Sequence, residues 1–120
     1  MSTAYIVFSH GSSVESANEA VRSVAAAMAR RGELNVAAAF LESGKPDLAG
    51  AVQELVSADV SRIVVVPYFL TLGLHLQRDL PALIERARRA HPRIDFQVAA
   101  PLDGHPAMVD VLLARAREAV

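Results

Sequence analysis

A three-layer α/β/α fold around a four-stranded parallel sheet is expected from three features of this chain. Short apolar runs alternate with longer stretches of helical period. The runs are rich in β-branched residues, as suits strands covered on both faces. Helix start and stop signals separate the two kinds of segment. The 120 residues are one domain's length, assigned as a single unit over 1–120.

The first strand is read at Ala4 to Ser9 and the second at Val36 to Phe40. Ile63-Val64-Val65-Val66 is the clearest strand, and Phe96-Gln97-Val98-Ala99 gives a fourth. Between the first two, Ala17, Val21, Val24, Ala25 and Met28 share a helix face, with Ser12 and Glu15 spaced as a capping box and Gly32 as a stop. Leu48, Val52, Leu55 and Val56 form a second stripe, entered through Pro46-Asp47. Leu80, Leu83, Ile84 and Ala87 form a third, and Met108, Val109, Leu112, Leu113 and Ala116 a fourth. The order βαβαβαβα implies right-handed crossovers with helices on both faces of the sheet.

Composition narrows the function. Lys and Arg number 12 against 13 Asp and Glu, so no basic excess marks a nucleic-acid partner. With no cysteine, disulfides, iron–sulfur clusters and thiol nucleophiles are excluded, and a bound metal must rest on His, Asp, Glu or backbone oxygen. Nothing ahead of Tyr5-Ile6-Val7-Phe8 reads as a signal peptide, and no run has membrane-spanning length. The expected location is cytoplasmic, with no membrane partner.

Open parallel sheets bind ligands beyond the carboxyl ends of their strands. That rim carries His10-Gly11-Ser12 after the first strand and Leu41-Glu42-Ser43 after the second. The segment from Tyr68 to His75 follows the third, and Pro101-Leu102-Asp103-Gly104 the fourth. Singly, each residue has an ordinary reading: a histidine after a strand is commonly a structural hydrogen-bonding group, and a loop glutamate is commonly solvated. Together, two imidazoles and a carboxylate suit a borderline divalent ion, and fewer than four ligands leave positions open for an ion in transit. The stretch Tyr68 to Leu74 is too apolar for a solvent loop and suits a wall against a flat apolar ligand or a partner chain. His91, at a helix end, and His105, before Pro106, are read as structural.

Ser9-His10-Gly11-Ser12, Phe40-Leu41-Glu42, and Val66-Pro67-Tyr68-Phe69-Leu70 running into Gly73-x-His75-x-x-x-Asp79-x-Pro81 resemble the small sirohydrochlorin chelatases. That is the CbiX-type cobaltochelatase group, related to the SirB-type sirohydrochlorin ferrochelatases. The ending Pro101-Leu102-x-Gly104-x-Pro106, before an apolar helix containing Arg115, also fits, so the resemblance spans essentially the whole chain.

The resemblance implies a chelatase-like fold and a lyase that inserts a divalent metal, Co2+ foremost or else Fe2+ or Ni2+, into sirohydrochlorin for cobalamin or siroheme biosynthesis. It implies His10 and His75 as metal ligands, with Glu42 joining them at the catalytic site as proton acceptor or third ligand. The metal is a substrate, no organic cofactor is expected, and Arg or Lys should meet the substrate's carboxylates. Because the ligating imidazoles must be deprotonated, activity should fall at acid pH. Two-domain relatives close their pocket with a second unit, which leads to the expectation of a homodimer using Tyr68 to Leu74 and the last helix.

A histidine phosphatase would need Arg before the histidine, where Ser9 stands. A serine hydrolase would need a Gly-x-Ser-x-Gly elbow, which is missing. The serious alternative is a non-catalytic tetrapyrrole or metal carrier of the same fold.

Overall fold

Ile6, Val7 and Phe8 are consecutive and all buried, which only a strand with cover on both faces allows. They belong to β1 (Ser2–Ser9), a central strand of the computed structural model, which describes residues 2–57 and 59–120. Its parallel neighbours are β2 (Asn35–Phe40) and β3 (Val60–Pro67), and β4 (Asp95–Val98) pairs beyond β3, giving the sheet order β2-β1-β3-β4. The four strands fall where the apolar runs place them: the first three start earlier, the third also runs on to Pro67, and the fourth is shifted one residue toward the amino end.

Between them come α1 (Glu15–Gly32), α2 (Leu48–Leu55), α3 (Leu74–Ala90) and finally α4 (Ala107–Glu118). Helix α1 lies on one face, packing Val21 and Ala25 against Val7 and Phe40. On the other, Leu48, Val52 and Leu55 of α2 and Leu76, Leu80 and Ile84 of α3 enclose Ala4, Ile6, Phe8, Ile63, Val65 and Phe96. Asp47 caps α2, its side chain accepting the Gly50 N–H at 2.8 Å. Among the described residues, no helix is long and apolar enough to cross a membrane.

Four expectations need correction. The capping box is not made: α1 begins at Glu15 without a side-chain cap, and the Ser12 hydroxyl accepts the Val14 N–H at 3.0 Å instead. The helix face also rotates, so that Asn18 is buried while Ala17 and Val24 are exposed. The third helix starts at Leu74, well before its apolar stripe, and carries Pro81 inside it. His75 therefore sits on a first helical turn rather than in a loop. Finally, α4 has the expected apolar stripe but no buried residue.

Candidate functional site

The pairing of β1 with β2 runs past the last strand residues. Leu41 N–H donates to Ser9 O at 2.9 Å, and Glu42 N–H donates to His10 O at 3.0 Å. These two bonds place His10 and Glu42 side by side at the carboxyl rim, where His10 Nε2 and Glu42 Oε1 are 2.7 Å apart. Both side chains are mostly exposed, so the pair faces solvent rather than the core.

Gly11 makes this approach possible. Its φ is +91°, and a β-carbon there would lie 1.7 Å from Glu42 O. Only glycine combines that backbone angle with so close a neighbour.

Asn18 holds both rim loops from below and is 1% exposed. Its Oδ1 accepts the Ser12 N–H at 2.9 Å, and its Nδ2 donates to Ser12 O at 2.8 Å and Ser43 O at 2.9 Å. One amide thus ties the segment after β1 to the segment after β2. Sequence reading missed it, although a polar residue one turn before Val21 and two before Ala25 was the available signal. Asn18→Ala should cost about 1–3 kcal/mol, because three part-buried backbone groups lose their partner. Urea denaturation should show it as a lower midpoint at unchanged slope.

A second brace is ionic. Arg22 bonds Glu15 at 2.6 Å and Glu19 at 3.1 Å, and its Nη2 donates to Lys45 O at 3.1 Å. Its guanidinium also stands 5.2 Å from the centre of the Phe40 ring. The hydrogen bond from Arg22, then that from Asn18, holds the Glu15 carboxyl below the ordinary carboxylate range.

The structure brings His10 and Glu42 together and leaves His75 apart. His75 stands at the start of α3, its Nδ1 3.2 Å from Arg78 Nη2. Leu74, His75, Gln77 and Arg78 line a shallow depression there. Among the described residues, no three His, Asp or Glu side chains are grouped closely enough to hold one ion.

The segment before α3 forms the apolar wall. Phe69 and Leu72 pack against the core, Phe69 meeting Phe8 edge-on at 6.2 Å between ring centres. Tyr68, Leu70 and Leu74 point outward, Leu74 with 84% of its surface exposed. The β4–α4 linker is tied to this wall, Leu102 N–H donating to Phe69 O at 3.2 Å and Asp103 N–H to Leu70 O at 2.7 Å.

The other two histidines take structural places. His91 ends α3, its N–H bonded to Ala87 O at 2.9 Å, at the edge opposite the rim. It borders a cavity of about 320 Å3 between α2 and α3 that is lined mainly by apolar groups. His105 Nδ1 accepts the Ala107 N–H at 3.0 Å, at the start of α4.

Known proteins share this architecture. A structure from Marinobacter aquaeolei VT8, named as a cobalamin (vitamin B12) biosynthesis CbiX protein, superposes with a TM-score of 0.85 at 30% identity, over 97% of this chain and 95% of that one. The sirohydrochlorin cobaltochelatase of Methanosarcina barkeri is 26% identical over 96% of this chain and 95% of its own length. The sirohydrochlorin chelatase SirB of Bacillus subtilis subspecies spizizenii, solved in complex with cobalt, shares the fold with a TM-score of 0.89 at 24% identity. This chain covers 98% of itself and 51% of that SirB chain in the superposition. The model of the CbiX family matches residues 4–119, and the chain belongs to the CbiX family.

Proposed function

We propose that this protein is a sirohydrochlorin metal chelatase, a lyase that inserts a divalent ion into the tetrapyrrole, working in the cytoplasm as a homodimer of single-domain chains. Co2+ is the first candidate ion, followed by Fe2+ and Ni2+. The observation that carries the reading is the His10–Glu42 pair, held 2.7 Å apart at the open rim by continued strand pairing. The relatives' names supply the substrate.

Insertion exchanges one M2+ for the two pyrrolic N–H protons of the ring. In neutral His10, a hydrogen bond from Nε2–H to Glu42 leaves the Nδ1 lone pair free for an ion. A carboxylate behind an imidazole orients the ring and strengthens it as a ligand. The exposed Glu42 carboxylate can also accept ring protons one at a time and pass them to water.

His75 is proposed as the second metal-binding imidazole. In its neutral form, with Nδ1 accepting from Arg78, the proton lies on Nε2. A substrate carboxylate that draws Arg78 away would free that nitrogen, which makes Arg78 the first basic residue to place at a propionate or acetate arm. The outward Tyr68, Leu70 and Leu74 give the macrocycle an apolar surface to lie on. The rim remains open on its far side, and a second copy would supply the missing wall.

The test is to combine the protein with sirohydrochlorin and each ion separately and follow the visible spectrum. Multiple turnovers above the uncatalysed rate are expected. Stoichiometric binding of ring or metal without turnover would make the protein a carrier instead. Glu42→Gln keeps a hydrogen-bond acceptor but loses the base, so turnover should fall about 100-fold while metal affinity changes much less. An unchanged rate would return Glu42 to the role of an ordinary solvated carboxylate.

A further inference from the structure

The segments after β1 and β2 diverge just beyond the His10–Glu42 pair. Leu41 N–H to Ser9 O and Glu42 N–H to His10 O are the last two backbone rungs between them. Gly11, with φ +91°, and Ser43, with φ +53°, then turn each segment away. Among the described residues, no backbone–backbone hydrogen bond reaches Ser12 or Ser43. A ladder that ended there would leave His10 and Glu42 at its fraying end, where local opening is easiest.

Asn18 supplies the next rung from a side chain. Its amide meets Ser12 as a neighbouring strand would, Oδ1 accepting the N–H and Nδ2 donating to the C=O. The other Nδ2 hydrogen goes to Ser43 O, so both donors of the amide are engaged. The fit beneath the second segment is close. A β-carbon on Gly44 would lie 3.2 Å from Asn18 Nδ2 and 2.8 Å from Phe40 Cγ, so the chain just past Glu42 rests on these two side chains.

The placement matters more than the number of bonds. Ser12 stands two residues past His10, and Ser43 one residue past Glu42. The pair is therefore clamped between a backbone rung on one side and an amide rung on the other. Asn18 itself is 1% exposed and can touch neither ion nor macrocycle.

We infer that Asn18 is a positioning residue for metal insertion, fixing the separation and mutual orientation of His10 and Glu42 from beneath the rim. Its chemistry rests on the chelatase reading above; the clamp rests on the hydrogen bonds alone. A displacement of about 1 Å in a reacting constellation can cost about 100-fold in rate, and a pair held at one end only has that freedom. The role is separable from a contribution to stability, because it acts through two named side chains.

Rates are to be measured well below the melting point of every variant. Asn18→Ala should lower kcat about 10–100-fold, as for groups that orient a metal ligand from behind. KM for sirohydrochlorin should stay within about threefold, because the apolar wall lies on another segment. Asn18→Asp opens no cavity and keeps the bond from Ser12 N–H, but it loses both donors and should show the same fall in kcat. Val21→Ala is the control for stability: it loosens the same helix against Val7 and Phe40, leaves the amide in place, and should keep kcat within about threefold. In a Glu42→Ala background, adding Asn18→Ala should cost less than about threefold more, since the pair it orients is already gone. Without sirohydrochlorin, the visible absorption of bound Co2+ should report affinity about tenfold weaker in Asn18→Asp than in wild type. A kcat in both Asn18 variants equal to that of Val21→Ala, or full multiplication of the Glu42 and Asn18 losses, would overturn the positioning role. A wild type that binds Co2+ without turnover would remove the chelatase reading, and the affinities would then decide alone: equal values overturn the clamp, and a tenfold loss upholds it. A wild type with neither turnover nor Co2+ binding would overturn both.

Discussion

His10→Ala is expected to lower the rate of metal insertion about 100-fold or more while leaving the fold intact. The imidazole is 59% exposed and belongs to no core cluster, so its removal opens no cavity. What disappears is the nitrogen proposed to bind the ion, together with the group that Glu42 pairs with. Losing even a partner behind a metal ligand commonly costs 10–100-fold in affinity or activity, and losing the ligand should cost at least as much. His75→Ala should produce a comparable loss with an equally intact fold. The measurement is the initial rate of the spectral change with sirohydrochlorin and Co2+, beside thermal melts of each variant. A rate within threefold of wild type for His10→Ala would remove that residue from the site.

Gly11→Ala should damage stability and activity together. A β-carbon at this position would lie 1.7 Å from Glu42 O and 2.9 Å from the adjoining carbonyl carbon, so backbone must move. The φ of +91° adds strain of about 1–3 kcal/mol for any residue with a side chain. Separation of the two rims would also break the Leu41–Ser9 and Glu42–His10 bonds, worth about 1 kcal/mol each. A total of about 3–5 kcal/mol corresponds to a fall in Tm of roughly 10 °C or more. Gly104 is the control: its φ is +80°, but nothing lies within 4 Å of a β-carbon there. Gly104→Ala should therefore show the backbone strain alone, about 1–3 kcal/mol. Equal melting points for the two variants would mean that the β1–β2 rim is softer than its geometry indicates.

The strands were legible because their signal is local, as in Ile63 to Val66, although the cover that three valines predict on both faces is complete on one only, Val64 and Val66 being half-buried. The start of α3 was not legible. The apolar stripe that marks this helix runs from Leu80 through Leu83, Ile84 and Ala87, so periodicity starts the helix there. The actual first turn, from Leu74, puts exposed Leu74 and His75 ahead of the stripe, where periodicity gives no warning. Asn18 was hidden for a related reason. Its amide serves two loops that are distant in sequence, and a helical period records that a face is covered, not by what. The same limit applies to α4, whose stripe marks an apolar face without saying what covers it. Of the candidate site, the adjacency of His10 and Glu42 follows from strand order β2-β1, which places their two rims side by side. The position of His75 depends on a loop whose path no short-range pattern sets.

Continued pairing beyond β1 and β2 has a consequence for what the rim can do with an ion. The backbone at His10 and Glu42 is fixed by hydrogen bonds before anything arrives, so its ordering entropy is already spent by folding. His75 rides on a separate element and makes no such pair with them. With the ligands proposed above, a rim built this way would grip firmly at one point and loosely at the other. An ion seated there is not trapped, and a macrocycle offering four nitrogens can outcompete the protein for it. Fusing all three groups into one rigid cluster would raise affinity and end turnover, turning a site of passage into a store.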